Sequence, residues 1–316
     1  LVVGTGAIGG IYSWRLSLSS EITAVCRSNY NIVDSEGFNI DSKKFGKGIF
    51  KPHHVNEAVD ISNGKPYDYV MVTLKALPEV YNIPDIISSA ITPKKTAIVL
   101  IQNGLGVEEA IAERFPENPI ISIVAYIGTS QIKPGYISMV GSENLIVGNY
   151  LRSKVDNSKE KQQFLELLEK GDVSVVDVDD VERVRWQKLF WNSAFSPVCT
   201  LTGMNTSELL RNKEALSSVK NIMKEVITAA NAYGYDFELE EQMTAMIERT
   251  EATAVNYKPS MQLDFERKQP MEVSAILGAP LRYAKAKGLE VPHLEMIYQL
   301  CSAANAKTLL DKKSNL

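Results

Sequence analysis

The sequence predicts an α/β domain built on a largely parallel sheet, followed by an all-helical domain. Three observations carry that prediction. Short apolar runs alternate with helical patterns through the first half of the chain, the mark of βα units. Tyr69-Val-Met-Val-Thr-Leu74 is an almost unbroken apolar run, as expected of a strand covered on both faces. From Asp180 onward helical periodicity takes over and continues to the end, punctuated at Gly203, Gly234, Pro259, Pro270, Pro280 and Pro292. The boundary is expected near residues 177–180, which gives domains of 1–178 and 179–316.

The opening run Leu1-Val2-Val3 reads as a strand that feeds into Gly4-Thr5-Gly6-Ala7-Ile8-Gly9, with a helix over Ile11 to Leu18. Glycine at the first, third and sixth places of such a loop has a physical reason. Gly4 permits the tight turn, Gly6 lets the backbone approach a pyrophosphate, and Gly9 lets the helix pack closely on the strand. The phosphates would lie at the helix N-terminus, where free N–H groups point outward. The first domain is therefore expected to be a Rossmann-type dinucleotide-binding domain.

Further strands are expected at Ile22–Cys26, Thr96–Ile101 and Ile120–Tyr126, with a helix over Val107–Phe115. Tyr136–Val140 and Asn144–Val147, separated by Gly141-Ser142-Glu143, resemble a hairpin. Ser158–Lys170 reads as an amphipathic helix with Phe164, Leu165, Leu167 and Leu168 on its apolar side, and Val173–Val178 as the last strand.

Composition narrows the function classes. The 316 residues are 45 % hydrophobic and 23 % charged with a net charge of −4, which gives no reason to expect nucleic acid or a membrane surface as partner. Cys26, Cys199 and Cys301 are odd in number and far apart, and His53, His54 and His293 are few, so neither a disulfide framework nor a metal site is expected. This usage fits a reducing, cytoplasmic compartment. The chain begins inside a strand without methionine, so a cleaved mitochondrial leader stays open, and Ser314-Asn315-Leu316 loosely echoes a peroxisomal signal.

The tip of the second strand reads Cys26-Arg27-Ser28, with no carboxylate to take a ribose 2′-hydroxyl. Arg27 suits a 2′-phosphate, because its guanidinium forks onto phosphate oxygens, and Ser28 adds a donor. NADP(H) is expected over NAD(H).

Four further pieces carry chemistry. Lys75 ends one buried strand and Gln102-Asn103-Gly104-Leu105-Gly106 ends the next, at the carboxyl edge where open α/β sheets bind ligands. The glycines of the second would let the backbone pass close to a ligand, while Asn103 offers a donor and an acceptor. In Arg185-Trp-Gln-Lys188-Leu-Phe-Trp-Asn192, continuing to Ser196-Pro197, Lys188 and Asn192 share one helix face, with Ser196 a turn further. Bulky neighbours Trp186, Phe190, Trp191 and Phe195 could lower the pKa of the ammonium. On spacing alone this is also an ordinary surface stripe. Ser260 and Glu272, separated by a proline-bounded segment, read by themselves as a cap and a solvated carboxylate.

Taken jointly and in order, these pieces resemble the ketopantoate reductase (2-dehydropantoate 2-reductase) family through nearly the whole chain, including Leu281–Gly288 followed by Val291-Pro292. The resemblance implies a Rossmann-type domain, a helical domain, a substrate cleft between them, and NADPH-dependent reduction of ketopantoate to pantoate for coenzyme A synthesis. It implies Lys188 as the general acid and Glu272 as the group that orients it. Asn192, Ser196 and Ser260 would grip substrate, and Lys75 and Asn103 would line the nicotinamide end, with Asn103 also reaching substrate. Three departures stand out. Ser196 replaces a second asparagine, Leu277-Gly278 replaces an asparagine–glycine pair, and Pro280 falls where the helix is often continuous. A different branched or aromatic 2-keto acid therefore stays open as substrate, as does a non-catalytic NADP(H) sensor, although a sensor has no need of both Lys188 and Glu272. Whether apolar stripes in the helical domain pair two subunits into a homodimer is also open.

Overall fold

Alternate residues of a strand point to opposite faces, and in the first half of this chain both faces are apolar. In β6 (Tyr69–Val72) Met71 joins one core, while Val70 and Val72 join the other. In β7 (Ala97–Ile101) Val99 goes one way, Ile98 and Leu100 the other. The computed structural model describes residues 1–60, 65–253 and 256–313, so Ser314-Asn315-Leu316 lies outside the described residues. The chain forms two compact units. One comprises Leu1–Lys75, Tyr81–Gln102 and Val107–Val181, the other Ala76–Val80, Asn103–Gly106 and Glu182–Leu316.

In the first unit, β1 (Val2–Val3), β2 (Thr23–Val25), β5 (His54–Asn56), β6, β7 and β8 (Ile120–Lys133) lie in the spatial order β5-β2-β1-β6-β7-β8, each parallel to its neighbour. Numbered by chain position these six run 3-2-1-4-5-6, the doubly wound order, whose direction reverses between β1 and β6. Helix α1 (Ala7–Leu16) packs Ile11, Tyr12 and Leu16 on one face, beside Phe164, Leu165 and Leu168 of α5 (Ser158–Lys170). The other face carries Ile87 of α3 (Ile83–Ile87) and Ile111 of α4 (Glu109–Arg114). A short α2 (Tyr30–Glu36) follows β2.

The sheet is mixed, its parallel core joined by antiparallel strands. β3 (Phe38–Ser42) and β4 (Gly46–Phe50) form an antiparallel pair, and β9 (Tyr136–Asn149) runs antiparallel to β8. The hairpin expected at Gly141-Ser142-Glu143 does not form there. β8 continues to Lys133, and β9 passes through that tripeptide without ending. Its pairing with β8 slips between Ile127 and Gly128, as a bulge would make it do. The physical reason is Glu143, whose carboxylate is buried and accepts bonds from Lys44 Nζ (2.6 Å), the Ser174 amide (2.8 Å) and Tyr12 Oη (3.3 Å). Along β9, first β3 and then β10 (Val175–Val178) pair in parallel.

The second unit is helical: α6 (Val181–Thr202), α7 (Thr206–Arg211), α8 (Lys213–Asn231), α9 (Leu239–Thr253), α10 (Ser260–Glu266), α11 (Ala279–Ala286) and α12 (Pro292–Lys313). Caps set several boundaries. Asn205 and Glu208 form a reciprocal capping box on α7, and Asn212 accepts from the Ala215 amide at the start of α8. Its core gathers Trp186, Phe190 and Phe195 of α6 around Val219, Ile222, Met223, Val226 and Ile227 of α8. Pro280 does not interrupt the helix, contrary to the sequence reading. A π-helical turn, Ser274–Gly278, runs directly into α11, where Pro280 lies in the first turn and its missing N–H costs least. Among the described residues no helix is long and apolar enough to cross a membrane, and no group of metal-ligating side chains is found.

Candidate active site

The glycine loop sits where the strand order reverses. Gly4 holds φ +101°, and the Thr73 hydroxyl, just past β6, donates to its carbonyl at 2.6 Å. A Cβ at Gly9 would lie 2.5 Å from the Gly4 oxygen and 2.6 Å from Thr73 Oγ1, so a larger residue would push α1 off the strands. Around Gly6, by contrast, a Cβ would meet nothing within 4 Å. The backbone there is open to an incoming group, and the N–H groups of Ala7 and Ile8 belong to the first turn of α1, which lacks intrahelical partners. Thr5 turns inward instead. Its hydroxyl donates to the Val25 carbonyl at 2.8 Å, and the buried Asn29 amide donates to the Thr5 carbonyl at 2.9 Å. Thr5 thus shapes the loop, and any ligand contact falls to its backbone.

Arg27 and Ser28 are exposed past the end of β2. The Arg27 guanidinium lies 5.7 Å from the ring centre of Tyr81, whose hydroxyl donates to the Lys75 carbonyl at 2.6 Å. Lys75 is exposed. The loop and the helix terminus together fit the pyrophosphate of a dinucleotide.

In the second unit the structure joins three of the expected residues. Lys188 Nζ donates to Asn103 Oδ1 at 2.8 Å, and Asn103 Nδ2 donates to Glu272 Oε2 at 3.2 Å. The other carboxylate oxygen of Glu272 accepts from the Ala76 amide at 2.9 Å. Asn103 therefore bridges the ammonium and the carboxylate, with both ends of its side-chain amide engaged. Burial drives the pKa of Lys188 down from 10.5 to about 8, helped by the nearby Arg185 charge and opposed by Glu272. A proton donor in that range is poised for general acid catalysis near neutral pH.

Arg185 received no role in the sequence reading. It lies three residues before Lys188 on α6, so the two cations share a face. It is buried and donates to the Gly104 carbonyl at 3.0 Å. Gly104 is pressed against the π-helical turn. At φ +96°, a Cβ there would meet Ala275 atoms at 2.5–2.8 Å. The Leu105 amide donates to the Ala275 carbonyl of that turn at 3.1 Å.

The remaining candidates lie on α6 and α10. Asn192 lies one turn beyond Lys188 on α6, partly exposed. Ser196, the next turn along, is buried at 3 % exposure. Ser260 is exposed as the first residue of α10.

Two family models match the chain, ketopantoate reductase PanE/ApbA over residues 1–152 and its C-terminal counterpart over residues 180–305. The chain belongs to the ketopantoate reductase family, a family of oxidoreductases. A 2-dehydropantoate 2-reductase of Nostoc is 29 % identical over 94 % of this chain and 92 % of its own length. An uncharacterised protein of Saccharomyces cerevisiae is 30 % identical over 97 % of this chain and 93 % of its own. The solved 2-dehydropantoate 2-reductase of Geobacter metallireducens superposes with TM-score 0.87 at 30 % identity, covering 96 % of this chain and 100 % of that one. D-mandelate dehydrogenase, solved with NADH and anilino(oxo)acetate, shares the fold with TM-score 0.87 at 18 % identity, covering 97 % of this chain and 98 % of that one.

Proposed function

We propose that this protein reduces ketopantoate to pantoate with NADPH, as a step toward coenzyme A. The observation that carries this reading is the bonded series Lys188–Asn103–Glu272, which holds a lysine with a pKa of about 8. When bound, the reduced nicotinamide supplies the hydride that turns the keto carbon into an alcohol carbon.

The chain's own residues do the rest. Gly4 to Gly9 and the N-terminus of α1 hold the pyrophosphate, and Arg27 takes the 2′-phosphate. Lys188 gives its proton to the developing alkoxide, where its charge counts most. Glu272 keeps that lysine protonated and, through Asn103, aimed. Asn192 and Ser260 bind the substrate's polar groups, while Ser196, shorter than asparagine, leaves more room on α6 for a different 2-keto acid.

The test is NADPH and NADH oxidation by purified protein over ketopantoate and a panel of other 2-keto acids. Oxidation of NADPH with equal yield of pantoate is expected. Oxidation with another acid in its place moves the substrate but keeps the reaction. No oxidation with any acid supports a non-catalytic NADP(H) sensor. Arg27→Ala is expected to raise the KM for NADPH about 10–100-fold, the worth of charge-assisted bonds to a phosphate, with little change for NADH. Equal effects on both cofactors would remove Arg27 from the 2′-phosphate.

A further inference from the structure

Three segments of the second unit supply the bonded residues of the candidate site. Helix α6 carries Lys188, the loop Asn103–Gly106 carries Asn103, and Glu272 stands two residues before the π-helical turn. Each pair of segments is also tied by a bond that uses none of those three side chains. The Arg185 guanidinium of α6 donates to the Gly104 carbonyl at 3.0 Å. The Leu105 amide donates to the Ala275 carbonyl at 3.1 Å, and Ser193 Oγ of α6 donates to the Ile276 carbonyl at 2.7 Å. Of these ties, Arg185 is the one that brings a charge. At 2 % exposure it has almost no surface to offer a substrate, whereas Lys188, one turn further along α6, is partly covered. The carbonyl it holds belongs to the residue directly after Asn103, and Gly104 is pressed so closely on Ala275 that the loop has little freedom to settle elsewhere. Among the described residues the Lys188 ammonium meets the uncharged Asn103 amide from the loop, the Arg185 charge from its own helix and the Glu272 charge from the segment before the π-helical turn.

We propose that Arg185 is a positioning residue of the reaction, which anchors the loop so that Asn103 faces both Lys188 and Glu272, and whose charge eases the departure of the Lys188 proton. This rests on the reductase reading above. A guanidinium suits the place, because it stays charged when buried and presents its N–H groups from a rigid plane. A like charge on the same helix face disfavours the protonated lysine, and Glu272 favours it. The two set a working range between them. Glu272 keeps a proton on Lys188 before the reaction, and Arg185 keeps that proton acidic enough to pass to the alkoxide. Arg185 itself gives up and receives no atom.

The experiment measures kcat and KM against pH with NADPH saturating, for ketopantoate or for whichever 2-keto acid the substrate panel shows to be turned over. Arg185→Met removes both the charge and the tie, Arg185→Gln keeps a donor without the charge, and Arg185→Lys keeps the charge. Without the charge Lys188 stays protonated to higher pH. The alkaline limb of kcat should therefore move up by about one pH unit in Arg185→Met and Arg185→Gln, and stay near its wild-type place in Arg185→Lys. Below the limb, kcat should fall by about 10–100-fold in Arg185→Met, the cost of a misplaced reacting group, with KM changed far less. Thermal unfolding shows which variants fold, and Arg185→Gln carries the test if Arg185→Met does not. A limb left at its wild-type place in the neutral variants overturns the proposal. So does an equal displacement in Arg185→Lys, which would make loosening rather than charge the cause. Wild-type protein that turns over no 2-keto acid overturns the reductase reading, and this proposal with it.

Discussion

Lys188→Ala is expected to lower kcat for 2-keto acid reduction by about 10²–10⁴-fold, the usual contribution of a positioned general acid. NADPH binding should change far less, since in the proposed function that affinity rests on the glycine loop and Arg27 of the first unit. The split matters more than the size of the loss. An interaction made only in the transition state lowers kcat and kcat/KM together, whereas one made equally in the ground state raises KM alone. Lys188 belongs to the first class if it protonates the alkoxide. Its burial supports that role: the ammonium is kept short of water, so its pKa lies near 8 and proton transfer to an alkoxide is favourable.

Glu272→Gln should lower kcat by about 10²-fold while moving the alkaline limb of the pH profile toward lower pH. The glutamate carboxylate accepts from two donors, the Ala76 amide and Asn103 Nδ2. A glutamine can accept from only one of them, and its own NH₂ meets the other donor, leaving a buried donor unsatisfied at a cost of about 1–3 kcal/mol. Loss of the negative charge also removes an influence that holds the Lys188 pKa up. The pH shift separates an electrostatic role from a merely structural one, because a loosened fold would lower activity without moving the limb in that direction. Measuring kcat against pH for the variant and the wild type decides the matter.

Much of the fold was legible because its signals are local. Five of the six parallel strands announce themselves as apolar runs, whereas β5, His-Val-Asn, does not, and α5 runs over Ser158–Lys170 as its apolar spacing implied. The opening loop was legible for the same reason, since Gly4, Gly6 and Gly9 lie within one turn. What escaped were features decided by distant partners. β3 is short, with Phe38 and Ile40 as its apolar core residues, and β4 carries glycines at 46 and 48 and exposes most of its length. β9 runs on through Gly141 because Glu143 finds Lys44 and Ser174 far away in sequence. Pro280 looked like a break until the π-turn before it absorbed the missing donor. The candidate site divides in the same manner. Lys188 and Glu272 could be named from their places in a motif. Their connection through Asn103 spans 85 residues on one side and 169 on the other, and no pattern of spacing contains it. Arg185 was equally hidden, because a cation three residues from another is commonplace on a helix until burial brings their charges to bear on each other.

The most direct measurement of the central claim is kcat for ketopantoate reduction as a function of pH, with NADPH saturating. Lys188 must be protonated to act as the acid, so the rate should be level at lower pH and fall as pH rises through about 8, the value at which burial sets its ammonium. The reverse oxidation of pantoate should rise over the same interval. A kcat that stays level from about pH 7 to about pH 10 would contradict the account, since no buried lysine of lowered pKa could then be supplying the proton.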